Sequence, residues 1–116
     1  MKPEFEEHHP SATDLTVLCP KCHTSALHHD TVEVFNRDVE DAEIGDRTVV
    51  AANSKPRVDH DLDMRLNPSE RRDGILIHLH CENCDGHFVL GIAQHKGSTL
   101  LKIGQVKSEI SWGRDA

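Results

Sequence analysis

With 116 residues, 36% of them hydrophobic and 3% aromatic, the chain has the length of one domain and little apolar material for its core. A formal net charge of −7 makes it a poor non-specific nucleic-acid binder, because phosphate contacts depend on lysine and arginine. No apolar run of about 18 residues exists, which excludes a membrane-spanning helix.

Residues 1–13 are polar, carry Pro3 and Pro10 and show no clear period, so a flexible N-terminal tail is expected. The start, Met1-Lys2-Pro3-Glu4-Phe5-Glu6-Glu7, lacks an apolar leader region. A cytoplasmic, reducing environment is the expectation from that. A single domain is expected over 14–110, with a short tail at 111–116.

Leu15-Thr16-Val17-Leu18 reads as a short strand that runs into Cys19-Pro20-Lys21-Cys22. Thr31 to Phe35 alternates as a second strand, and the two are expected to form a hairpin with the cysteine turn between them. Residues 38–46 carry a dense acidic run, Asp38, Glu40, Asp41, Glu43 and Asp46. A solvated loop is the ordinary reading; a docking surface for a basic partner is the sharper one. Short β-segments follow at Thr48–Ala52 and Leu62–Leu66, with turns at Asn53–Pro56 and Asn67–Gly74 and room for a helical turn at Pro68–Arg72. Residues 36–72 therefore read as a β-rich insertion.

The best-defined pattern is C-terminal. Ile75 to Cys81 is a strand, Cys81-Glu82-Asn83-Cys84-Asp85-Gly86 is a turn, and Phe88 to Ala93 returns. His95-Lys96-Gly97-Ser98 turns again, with Gly97 as the permissive residue, into a strand over Thr99–Val106. The fold class expected is mostly β, an antiparallel sheet with two cysteine-tipped hairpins. Trp112 is expected to cover an edge of the core.

Cys19, Cys22, Cys81 and Cys84 are all the cysteines of the chain, used in two turns of identical spacing. Each Cys-x-x-Cys turn brings two sulfurs to one side of a loop, and two turns together present four thiolates to a tetrahedral ion such as Zn2+. Gly86 is expected to take the left-handed conformation that aims amides back at the sulfur. Two disulfides would need an oxidising compartment. A redox dithiol sits at a helix start, whereas Cys81 follows a β-like run.

The paired turns resemble a zinc ribbon over roughly residues 15–35 and 73–106. That resemblance implies a structural zinc held by the four cysteines. The separation of the two turns exceeds the usual spacing of about 15–20 residues, which is why 36–72 reads as an insertion. The stretch Cys81–Phe88 with Gln94–Leu100 also resembles small bacterial or phage proteins, a likeness that carries no activity.

The chain has 10 histidines. His78 and His80 lie two apart on one strand and share a face, opposite Cys81. Most are expected to be polar strand and turn residues. A second metal or catalytic site built from His78, His80 and Asp59, Asp61 or Asp63 is the alternative, and would make the chain a metal-dependent hydrolase or nuclease. An iron electron carrier shares the cysteine pattern. No phosphate loop, dinucleotide fingerprint, nucleophile elbow or His-Glu-x-x-His motif is present. The expectation is a non-enzymatic binding module. Its protein partner would use the acidic 38–46 stretch or a sheet edge, with a homodimer as one form. Nucleic acid would fall to Arg71, Arg72, Lys96, Lys102, Lys107 and Arg114.

Overall fold

The structure is a computed structural model that describes residues 1–113; Arg114 lies outside the described residues. The chain is built of antiparallel strands: β1 (Phe5–Glu7), β2 (Leu15–Val17), β3 (Leu27–Arg37), β4 (Ile44–Val50), β5 (Arg57–Asp63), β6 (Gly74–Cys81), β7 (His87–His95), β8 (Ser98–Val106) and β9 (Ile110–Ser111). One 3-10 turn, Met64–Leu66, follows β5. Seven strands form one sheet in the order β5-β4-β3-β6-β7-β8-β9, and β1 pairs with β2 in a small second sheet. Among the described residues no helix is long and apolar enough to cross a membrane.

The mostly-β, antiparallel class is the one the alternating segments point to. The meander β6-β7-β8 matches its expected limits closely, because both its turns are flagged by glycine and its strands are rich in β-branched residues. Residues 36–72 extend the same sheet through β4 and β5.

Three local expectations are corrected. Leu15–Val17 pairs with Phe5–Glu7, not with the strand after the first cysteine turn, so part of the expected tail is a strand. Leu18 N–H extends that pairing by donating to Glu4 O at 2.9 Å. The expected strand Leu62–Leu66 begins and ends earlier. Asp63 accepts from Arg65 N–H at 2.6 Å and caps a 3-10 turn that lets Met64 drop into the core. The 68–72 loop is not helical. Its shape comes from buried Asn67 and Ser69: Asn67 Nδ2 donates to Arg72 O at 2.8 Å, and Gln94 N–H donates to Ser69 Oγ at 2.9 Å.

Both faces of the sheet carry apolar side chains, as alternation allows. Phe35, Leu76 and Val89 pack with Met64 on one face, edged by Leu62, Val106 and Trp112. Leu79 and Phe88, cross-strand partners, pack with Cys19 and Cys81 on the other. That second cluster is the floor of the site below.

Candidate metal centre

The two cysteine turns are the same structure made twice. In the first, Cys19 N–H donates to Thr24 O at 2.8 Å and His23 N–H donates to Cys19 O at 2.8 Å. In the second, Cys81 N–H donates to Gly86 O at 3.0 Å and Asp85 N–H donates to Cys81 O at 2.9 Å. The residue after each second cysteine is left-handed, His23 at φ 61° and Asp85 at φ 59°. Gly86 is not the left-handed residue, contrary to expectation. Its lack of a side chain serves space: a Cβ there would lie 2.7 Å from the Phe88 ring and 3.3 Å from Cys84 Sγ.

Strand register brings the turns together. The first turn leads into β3 and the second joins β6 to β7. β3 and β6 are neighbours, with Leu27 opposite Cys81, and Glu82 N–H donates to Ala26 O at 2.9 Å.

All four sulfurs then lie within 4.8 Å of one another. Two close pairs cross between the turns: Cys19 Sγ to Cys84 Sγ is 3.6 Å, and Cys22 Sγ to Cys81 Sγ is 3.6 Å. A disulfide needs about 2.05 Å, and the cysteines are free thiols. Four sulfurs at about 2.3 Å from one ion sit about 3.8 Å apart in a tetrahedron, close to what is seen. The four cysteines therefore fit a metal ion. Cys19 and Cys81 are fully buried, and Cys22 and Cys84 are half-buried.

Coordination needs thiolates, and the surroundings favour them unequally. Thr24 Oγ1 lies 3.1 Å from Cys22 Sγ. That hydroxyl, with the Asn83 side chain, lowers the Cys22 thiol to about 5. Burial pushes Cys81 up, but the N–H groups of Cys84 and Asn83 outweigh it and the net direction is down. Burial holds Cys19 up at about 12, so this buried thiol is the one that most needs a cation. Thr24 has no flag in the sequence; only the folded turn puts its hydroxyl on the sulfur.

No histidine joins the four-sulfur group. His28 Nε2 reaches Glu82 at 2.9 Å and His80 Nε2 reaches Asp85 at 3.2 Å, so the carboxylates of the second turn hold both rings. His23 Nδ1 lies 3.4 Å from Glu4. His78 meets Glu33 at 2.7 Å and His87 at 2.9 Å, not the expected aspartates. Asp59 pairs with Arg47 and Arg57, and Asp63 caps the 3-10 turn. Glu33 was invisible as a partner because its position beside His78 depends on the β3–β6 register.

Arg71 and Arg72 lie against the acidic stretch. Arg71 pairs with Asp41 and Glu40, and Arg72 Nη2 donates to Glu40 at 3.1 Å. Arg37 crosses beneath them, its guanidinium donating to the carbonyls of Ala42, Arg72, Ser69 and Glu70. Lys102 Nζ donates to Pro68 O at 3.3 Å and sits 4.5 Å from the Trp112 ring centroid. Lys96 lies in the β7–β8 turn and is exposed.

Comparison with protein-family models, curated proteins and solved structures found no match to this chain.

Proposed function

We propose that this chain is a zinc-stabilised β-scaffold, a zinc-ribbon-like module with no catalytic activity of its own, that works by binding a protein partner. The observation that carries the reading is the closed set of four sulfurs, 3.6 Å apart across the turns. Four protein ligands leave no open position for a substrate, which is the arrangement of structural zinc. Zinc is preferred to iron because the role is mechanical: a core this thin needs a staple, and zinc binding of about 10–16 kcal/mol becomes folding energy. A reducing compartment such as the cytoplasm keeps the thiols available.

The partner surface in this reading is a sheet edge. The two edges differ. β5 carries Arg57, Asp59, Asp61 and Asp63, and its ladder is broken by a bulge where Asp61 is left-handed, φ 56°. Bulges and charges of this kind protect an edge from pairing. β8 is paired by β9 only at Gln105 and Val106. Its run Ser98-Thr99-Leu100-Leu101 is uncharged, with Leu100 and Leu101 exposed at 43% and 46%. An extended segment of a protein adds to that edge by main-chain hydrogen bonds. The acidic stretch is less suited, since Glu40 and Asp41 already hold Arg71 and Arg72.

Elemental analysis of the purified chain tests the core of this reading. One zinc per chain, in a colourless protein that loses its fold with a chelator, supports it. A metal-free chain that is fully ordered, or a coloured iron protein, removes it.

A further inference from the structure

A second group of metal-ligating side chains lies on the opposite face of β6 from Cys81. His78 Nε2 is 2.7 Å from Glu33 Oε2, and Glu33 Oε1 is 3.3 Å from Arg47 Nη1. Ionised Glu33 can only accept, so His78 carries a proton on Nε2, and the neutral ring then has its lone pair on Nδ1. That lone pair faces His87 Nε2 at 2.9 Å. Two imidazole nitrogens each about 2.05 Å from one ion lie about 2.9 Å apart at a right angle and about 3.3 Å apart in a tetrahedron. The separation therefore matches two ligands at a right angle on one ion. A carboxylate on the far nitrogen of a ligating histidine, itself held by arginine, is the support such ligands ordinarily have.

We infer that His78 Nδ1 and His87 Nε2 form a second metal site for a borderline transition ion of square or octahedral preference, Ni2+ or Cu2+ in kind, with Glu33 as the positioning residue. Imidazole nitrogens at right angles suit these ions, and solvent completes the shell. His87 needs only to shift its proton from Nε2 to Nδ1 to present its lone pair. His28 and His80 share the cross-strand row with His87, but the Nε2 of each is held by a carboxylate, Glu82 and Asp85 respectively. The four cysteines remain a separate, closed set.

The probe is Ni2+, titrated by calorimetry into the zinc-loaded full chain carrying His8→Ala and His9→Ala, which removes the exposed N-terminal pair. One Ni2+ is expected to bind with retention of zinc. Glu33→Gln is expected to weaken binding 10–100-fold. His87→Gln is expected to remove it while zinc content stays at one per chain. Ring resonances of His78 and His87 are expected to broaden first, a readout that needs no variant. No Ni2+ binding, unchanged affinity in His87→Gln, or broadening confined to other histidines overturns the inference. None of these results bears on the zinc content that tests the four-cysteine reading.

Discussion

Trp112 fills the space beside Gly91: a Cβ built on Gly91 would sit 2.8 Å from the indole Cη2. Gly104, on the neighbouring strand, is closed off in the same way, with Cε3 at 2.9 Å. Two glycines on β7 and β8 thus make the slot in which the ring covers the Phe35–Leu76–Val89 core. Gly91→Ala should force the ring out or strain the sheet, at about 1–3 kcal/mol. Trp112 is the single tryptophan, so its emission reads the event directly. A red shift is expected in Gly91→Ala; unchanged emission and unchanged stability would show that the slot is slack.

Gly86→Ala tests the second cysteine turn. The added methyl collides with the Phe88 ring, which is buried and has nowhere to go. A loss of about 1–3 kcal/mol is expected from overpacking, together with weaker metal retention because Cys84 Sγ is also within reach. Chelator competition measures the second effect. Retention equal to the parent would mean the turn relaxes without moving the sulfur.

The left-handed residues of the two turns make opposite predictions for opposite substitutions. His23 sits at φ 61°, a conformation costing roughly 1–2 kcal/mol for an ordinary residue. His23→Gly removes that strain against a smaller entropic loss and should raise Tm slightly. His23→Val should lower it, since a β-branched residue tolerates positive φ least. The ordering Gly above His above Val is what thermal unfolding of the zinc-loaded variants must return.

Acid should act on the sheet through Glu33. The hydrogen bond from His78, with the charges of Arg47 and Arg57, outweighs burial and holds its carboxyl below the usual range. The unfolded carboxyl titrates at about 4.3. Glu33 therefore contributes stability above about pH 4.3, and that contribution is lost as pH falls from there through its lower folded value. His87, also depressed, acts earlier: the unfolded ring takes a proton near pH 6.5 before the folded one does, so stability declines below that point. Denaturant midpoints against pH should fall in both windows for the parent, and Glu33→Gln should flatten the lower one.

The β8 edge should behave as a docking strand. Leu101→Lys places a charge on the exposed edge without touching the core, and should abolish strand addition while leaving stability within about 0.5 kcal/mol of the parent. Light scattering reports self-association directly. A parent that stays monomeric at high concentration moves the partner from a second copy to another protein. A partner complex indifferent to Leu101→Lys excludes the edge.

The gathering of the four cysteines was legible from spacing alone, because four cysteines in two identical turns admit few other uses. The meander β6-β7-β8 was equally plain from alternation and glycine-marked turns. What could not be seen depends on register. Glycine marked the turns correctly but not the strained residue: Asp85 and Lys96, beside Gly86 and Gly97, are the left-handed ones. Leu15–Val17 alternates equally well for either neighbour, and its true partner, Phe5–Glu7, is too short and polar to register as a strand. Glu33 reaches His78 and Arg47, and Arg37 gathers four carbonyls, only once β3 lies between β4 and β6. Long-range pairing of this kind leaves no local periodicity to read.

Cys22 and Cys81 lie 59 residues apart, yet their sulfurs end 3.6 Å from each other. A chain emerging from the ribosome carries half the ligand set through all of β3, β4 and β5 before the other half exists. Four sulfurs can therefore converge on one ion only once Cys84 has been made, and that convergence brings β6 alongside β3. A nascent chain arrested before Cys84 holds at most three of the four sulfurs, and should retain zinc more weakly than the finished chain.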